Sequence, residues 1–176
     1  MGLHIELNSW TQAEEHFRDV DQDQGREHCD RDMFNCELAL NLVGIGTLFS
    51  CRGHPDGLAA FPYITIIPQR AVAGWVPRYV SIMETQPLSQ EALTVKNTIV
   101  KAMSELGQRL LGLLTGFYEQ RQTPSPCRLV IQANGLGSYT LLNQGAIVGL
   151  PSDQETLKAY QDEFITFAEY LKSLWE

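Results

Sequence analysis

The chain's 176 residues, 44% of them hydrophobic, are enough for one domain (residues 1–176) whose core needs neither metal nor disulfide staples. Its 13 basic residues against 21 acidic ones leave a net charge of −8 with no basic cluster, which argues against a nucleic-acid polymer or an anionic membrane as partner. Four scattered cysteines (Cys29, Cys36, Cys51, Cys127), a start at Met1–Glu6 unlike a signal peptide and the lack of any apolar run near ~20 residues point to a cytoplasmic protein.

Leu3, Ile5 and Leu7 alternate with His4, Glu6 and Asn8, the period of a half-buried strand. Thr11 with Glu14 has the spacing of a capping box for a short helix carrying Ala13, Phe17 and Val20. Residues 19–32 then turn polar and read as an exposed loop. From Asp32 the pattern is helical, with Met33, Cys36, Leu40 and Val43 on one face and Gly44 at the stop. Ile45–Phe49 reads as a short strand that runs into Ser50-Cys51-Arg52-Gly53-His54-Pro55-Asp56-Gly57, whose two glycines and proline predict a tight loop. Further strands are expected at Tyr63–Ile67 and Tyr79–Met83, joined by a Gly/Pro-punctuated connection from Pro68 to Pro77.

Pro87 and Ser89 open the longest helical pattern, reaching about Gln120. Gly107, Gly112 and Gly116 interrupt it, and a straight helix of that length would span ~50 Å, so a bend or break is expected. After the Thr123-Pro124-Ser125-Pro126 break, strands at Leu129–Ala133, Tyr139–Leu142 and Ala146–Gly149 form an antiparallel meander turning at Asn134–Gly137 and Asn143–Gly145. Ser152 with Glu155 caps a last helix carrying Leu157, Tyr160, Phe164, Phe167, Leu171 and Trp175. The order β, α, α, βββ, α, βββ, α predicts an α+β fold, a mainly antiparallel sheet with helices packed on one face.

Chemistry-bearing residues gather at Ser50–His54, where a hydroxyl, a thiol, a guanidinium and an imidazole share one glycine-bearing turn. A thiol beside cations can serve as nucleophile or ligand, and Gly53 lets the backbone approach a ligand closely. Arg70 and Arg78 could join Arg52 around an anion, and Trp75 could stack on a base or cap the core. Cys51-x-x-His54 is half of a zinc site, with His28, Cys29, Asp32 and Cys36 as further donors. Cys36, however, is in register with core residues and no second close ligand pair completes the pattern, so no metal is expected. Asn134-Gly135-Leu136-Gly137-Ser138 lies between strands and reads as a hairpin turn rather than a phosphate cradle.

The run Gly44-Ile45-x-Thr47-x-x-Ser50-Cys51-x-Gly53-His54, followed by Pro62-Tyr63-Ile64, resembles a motif of small uncharacterised bacterial and phage proteins. More distantly it is similar to the Ser-Cys-Ser-Gly-Arg turn of the tRNA wybutosine-synthesising methyltransferase-like family, over about a fifth of the chain. That resemblance implies a site for a nucleotide-like cofactor, S-adenosylmethionine, in proteins acting on tRNA. Arg52 and His54 stand here where that motif has Ser and Arg, so a nucleotide-like ligand at the turn is the implication retained.

The leading expectation is therefore a small-ligand binding module. It would sense or sequester an anionic or nucleotide-derived molecule among Ser50, Arg52, Gly53, His54, Arg70, Arg78 and Trp75. The alternative is a thiol-dependent or transferase-type enzyme, with Cys51 as nucleophile, His54 as general base, and Ser50 with the Gly53 amide stabilising negative charge. A third reading is a structural or interaction protein forming a homodimer through its C-terminal helix. No cofactor is identified by the sequence.

Overall fold

The structure, a computed structural model, describes residues 9–23, 31–54, 60–68, 74–87, 89–119, 121–149, 151 and 153–176. The expected strand Leu3–Leu7, the donors His28 and Cys29, Arg70 and Ser152 lie outside the described residues. In chain order the elements are α1 (Trp10–Asp23), α2 (Arg31–Leu42), β1 (Gly46–Cys51), β2 (Tyr63–Ile67), α3 (Trp75–Thr85), α4 (Gln90–Tyr118), β3 (Leu129–Ala133), β4 (Tyr139–Asn143), α5 (Gln144–Val148) and α6 (Gln154–Trp175). The fold is α+β, with a wholly antiparallel sheet in the order β1-β2-β4-β3.

Two local hairpins, β1–β2 and β3–β4, are joined into that sheet by the pairing of β2 with β4. On one face Ile64, Ile66, Leu129 and Leu141 pack with Met33, Cys36 and Leu40 of α2, Leu106, Leu110 and Phe117 of α4, and Phe164, Phe167 and Leu171 of α6. Each fully buried Leu, Ile or Phe of this set contributes about 1.5–3 kcal/mol relative to exposure. α2 ends as its glycine predicts. Gly44 has φ +76°, and the Ile45 N–H reaches back to the Leu40 carbonyl at 2.8 Å.

Several expectations are corrected. Tyr79–Met83 is not a strand but part of α3. Its aromatic and β-branched residues favour extended chain, yet the first half of α4 presents an apolar stripe, Val95, Ile99 and Met103, that Trp75, Val76, Tyr79 and Ile82 at helical spacing bury. Pro77 sits in the first turn of α3, where its missing N–H costs nothing. Ala146–Gly149 is not a third meander strand either. β4 already has β2 and β3 on its two sides, and the chain leaves it as the short helix α5, with Gly145 lying under the Tyr160 hydroxyl.

The long helix is not broken. α4 runs for 29 residues, ~44 Å, without interruption through its glycines. Gly107 instead makes room for Tyr139, whose hydroxyl donates to the Met103 carbonyl at 3.0 Å. The caps also shift. Ser9 accepts the Gln12 N–H at 3.3 Å, so α1 starts ahead of Thr11, and Asp153 caps α6 by accepting the Thr156 N–H at 2.7 Å. Ser89 caps α4 as expected, accepting the Ala92 N–H at 3.1 Å.

Candidate functional site

Cys51 ends β1 opposite Tyr63, with its thiol free and half-buried. The Gly53 N–H points back at the Cys51 sulphur at 3.4 Å. Gly53 has φ +81°, and a Cβ built on it would stand 2.7–2.9 Å from Phe61 Cα and C and Pro62 N. Backbone therefore rests on backbone here, and glycine is required both by the dihedral and by the space. On the other side, Gln161 of α6 donates from Nε2 to the Arg52 carbonyl at 3.0 Å. The turn is held from two directions, while the Arg52 and His54 side chains are exposed.

The sheet decides which way the strand residues point. Directly paired residues of antiparallel strands share a face, and successive residues alternate. Ile64 and Ile66 point into the core, so Tyr63 and Thr65 point to the opposite face together with their partners Cys51 and Phe49. Ser50, paired with Ile64, points to the helix-covered face, so Ser50 and Cys51 are on opposite sides of the sheet. The register shifts at Leu48, between Thr47 and Phe49. Thr47 faces α2, where its hydroxyl accepts from Asn41 Nδ2 at 2.8 Å, whereas the bulge turns Phe49 outward.

Phe49 is 52% exposed. Its ring meets Tyr63 edge to face at 6.4 Å and 89°, and Tyr63 meets Phe61 at 6.4 Å and 63°. Phe61 in turn carries the backbone that abuts Gly53. Three rings thus form a row from the outer face of the sheet to the turn. Neither Phe49 nor Gln161 is among the sequence-derived site residues. The approach of Gln161 crosses 109 residues of chain and leaves no local sequence signal.

The other expected members stand elsewhere. Arg78 pairs with Glu91 at 2.7 Å and lies 5.8 Å from the Trp75 ring, which packs against α4. Val76 touches Gly137, and the hydroxyl of Tyr139 reaches Met103, so α3 belongs to the Tyr139 end of the sheet. Tyr139 pairs with Ile66, whereas Cys51 pairs with Tyr63 at the opposite end, three strand residues or ~10 Å away. The structure therefore brings together Cys51, Arg52, Gly53 and His54 but not Arg78 or Trp75. A cleft of about 220 Å³ between Gly44–Gly46, Pro68 and α4 also lies away from the turn, at the Gly46 end of β1. There Arg109 donates to the Gly44 carbonyl at 3.3 Å and to that of Val43, closing the end of α2.

Cys36 and Cys127 sit where the thiolate is disfavoured. Burial pushes the Cys36 thiol far above its ordinary range, with the Glu37 carboxylate adding to the rise. The Cys127 thiol is raised by desolvation and then by Glu163. Among the described residues no three His, Cys, Asp or Glu side chains are close enough to hold a metal ion, and no helix is long and apolar enough to cross a membrane. Glu163 is buried, with Oε2 3.0 Å from Arg121 Nη2, and links α6 to the end of α4. The Asn134–Ser138 segment is a hairpin turn closed by the Asn134 N–H on the Ser138 carbonyl at 3.0 Å. No protein-family model matches the chain, nor does any curated protein or solved structure.

Proposed function

We propose that this chain is a cytoplasmic small-ligand binding module that senses or sequesters an anionic or nucleotide-derived molecule at the Ser50–His54 turn. One observation carries the reading. Two cationic or cationisable side chains, Arg52 and His54, are exposed on a turn whose backbone is fixed by Phe61–Pro62 beneath Gly53 and by Gln161 on the Arg52 carbonyl. A pre-ordered backbone lowers the entropy lost when a ligand orders those side chains. Local charge matters because the protein as a whole repels anions, and at physiological ionic strength that repulsion is screened beyond ~8 Å.

The thiol-enzyme reading has less support. The Gly53 N–H is directed at the Cys51 sulphur, so it does not offer itself to a developing oxyanion, and Ser50 points to the other face. A homodimer through α6 is also less supported, since Leu157, Tyr160, Phe164, Phe167 and Leu171 are buried within the chain's own fold.

Thermal unfolding with adenosine 5′-monophosphate as the probe tests the proposal. At ten times the dissociation constant, binding stabilises by about 1.4 kcal/mol, or roughly 3–6 °C for a chain of this size. Arg52→Ala removes the shift and Cys51→Ser retains it. A shift that survives Arg52→Ala, or that Cys51→Ser abolishes, contradicts the reading.

A further inference from the structure

We infer that the ligand of this turn carries a planar heteroaromatic ring joined to its anionic group, and that Phe49 is the platform on which the ring stacks. The inference rests on the binding reading above and, of the anionic and nucleotide-derived ligands it admits, selects mononucleotides.

A phenyl ring at 52% exposure, on an edge strand paired with the largely buried β2, is held outward by a specific backbone device. Regular alternation would put Phe49 on the same face as Thr47, towards α2. The extra residue at Leu48 breaks that alternation and sends the ring to the outer face instead. Bulges of this kind commonly re-aim a side chain beside a functional site. The ring is also braced, because Tyr63 meets it edge to face and Phe61 braces Tyr63. A braced aromatic loses little freedom when something stacks on it.

The row of rings leads to the cations. Phe49 and Cys51 lie on one face two strand residues apart, ~6.6 Å, and Arg52 follows directly. Phe61, at the far end of the row, is in contact with Gly53. A ring on Phe49 and an anionic group at Arg52 and His54 are thus separated by the length of a short connecting unit, such as the one sugar of a nucleoside monophosphate. Inorganic phosphate or a sugar phosphate would leave the platform empty. A long polynucleotide would have to lie on a protein of net charge −8, which favours a mononucleotide.

Calorimetric titration of the full chain with adenosine 5′-monophosphate and with ribose 5-phosphate tests the inference, since the two share the phosphate and differ in the base. The wild type is expected to bind the mononucleotide at least about fivefold more tightly, the lower end of a base–aromatic stack. Phe49→Ala should bring the two affinities together, and Phe49→Trp should restore the preference. Phe49 is exposed and the Trp variant keeps a ring, so misfolding does not mask the comparison. Equal affinities in the wild type, or a preference that survives Phe49→Ala, overturn the ring inference while leaving the anion reading intact. Binding of neither ligand overturns both. A change of oligomeric state in Phe49→Ala with unchanged ligand preference overturns the inference in favour of a protein contact at this ring.

Discussion

Replacing Gly53 by alanine is the most informative perturbation of the turn, because two independent penalties can be worked from its geometry. A side chain at φ +81° costs about 1–2 kcal/mol. The added Cβ would also lie 2.7–2.9 Å from three backbone atoms of Phe61 and Pro62, which cannot swing aside as a flexible side chain can. Forced repacking of this sort costs about 1–3 kcal/mol. Gly53→Ala should therefore destabilise the protein by about 2–5 kcal/mol, lowering Tm by roughly 4–20 °C. Gly112→Ala is the matched control. It is a glycine inside α4 where the new methyl group would meet nothing within 4 Å beyond its chain neighbours and the helix's own backbone, and there alanine should stabilise by up to about 1 kcal/mol. Urea and thermal unfolding of both variants give the comparison directly. A Gly53→Ala protein within about 0.5 kcal/mol of wild type would refute the account of a backbone-locked turn.

Stability should fall at alkaline pH, and Cys36 should account for part of the slope. Its folded-state pKa is raised, so its contribution is complete below the unfolded thiol value of about 8.5 and is lost as pH rises above it, by up to ~1.4 kcal/mol per pH unit. Urea unfolding between pH 8 and 10 should give a shallower slope for Cys36→Ala than for wild type, and equal slopes would contradict the assignment. Glu163→Ala leaves the Arg121 guanidinium without its carboxylate, and because Arg121 is partly solvated the cost should be about 1–3 kcal/mol, below that of a fully buried pair. Desolvation, then a hydrogen bond and charge from Glu163, raise the Tyr118 hydroxyl, so Glu163→Gln should move its tyrosinate titration downward while leaving it above the ordinary value. An unmoved titration would separate Tyr118 from Glu163.

Strong periodicity made much of this fold legible. β2 at Tyr63–Ile67, β3 at Leu129–Ala133 and α6 follow from alternation and helical spacing within their own segments. Where local preference and tertiary demand disagree, the sequence misleads. Tyr79–Met83 is rich in strand-favouring residues, but only helical spacing lets Trp75, Tyr79 and Ile82 cover α4. Ala146–Gly149 follows a turn-like Asn-Gln-Gly, but the position it would occupy beside β4 is filled by β2, a strand from the other hairpin.

The site divides in the same way. Gly53 announces a special backbone, and the cluster of Cys51, Arg52 and His54 is visible by eye. The outward turn of Phe49 depends on a one-residue register shift, and the Gln161 anchor depends on α6 crossing the sheet near β1. The separation of Trp75 and Arg78 from the turn depends on which end of the sheet α3 joins. None of these follows from neighbouring residues, because each is set by pairings between distant segments.

The central claim is that ligand meets the chain at Phe49–His54, and backbone amide mapping by NMR tests it most directly. Titration with adenosine 5′-monophosphate should move the amide signals of Phe49, Arg52, Gly53, His54 and Tyr63, with those of Gly44, Gly46 and Arg109 at the opposite end of β1 left in place. Movement confined to Gly44, Gly46 and Arg109, or no movement at millimolar nucleotide, would contradict it.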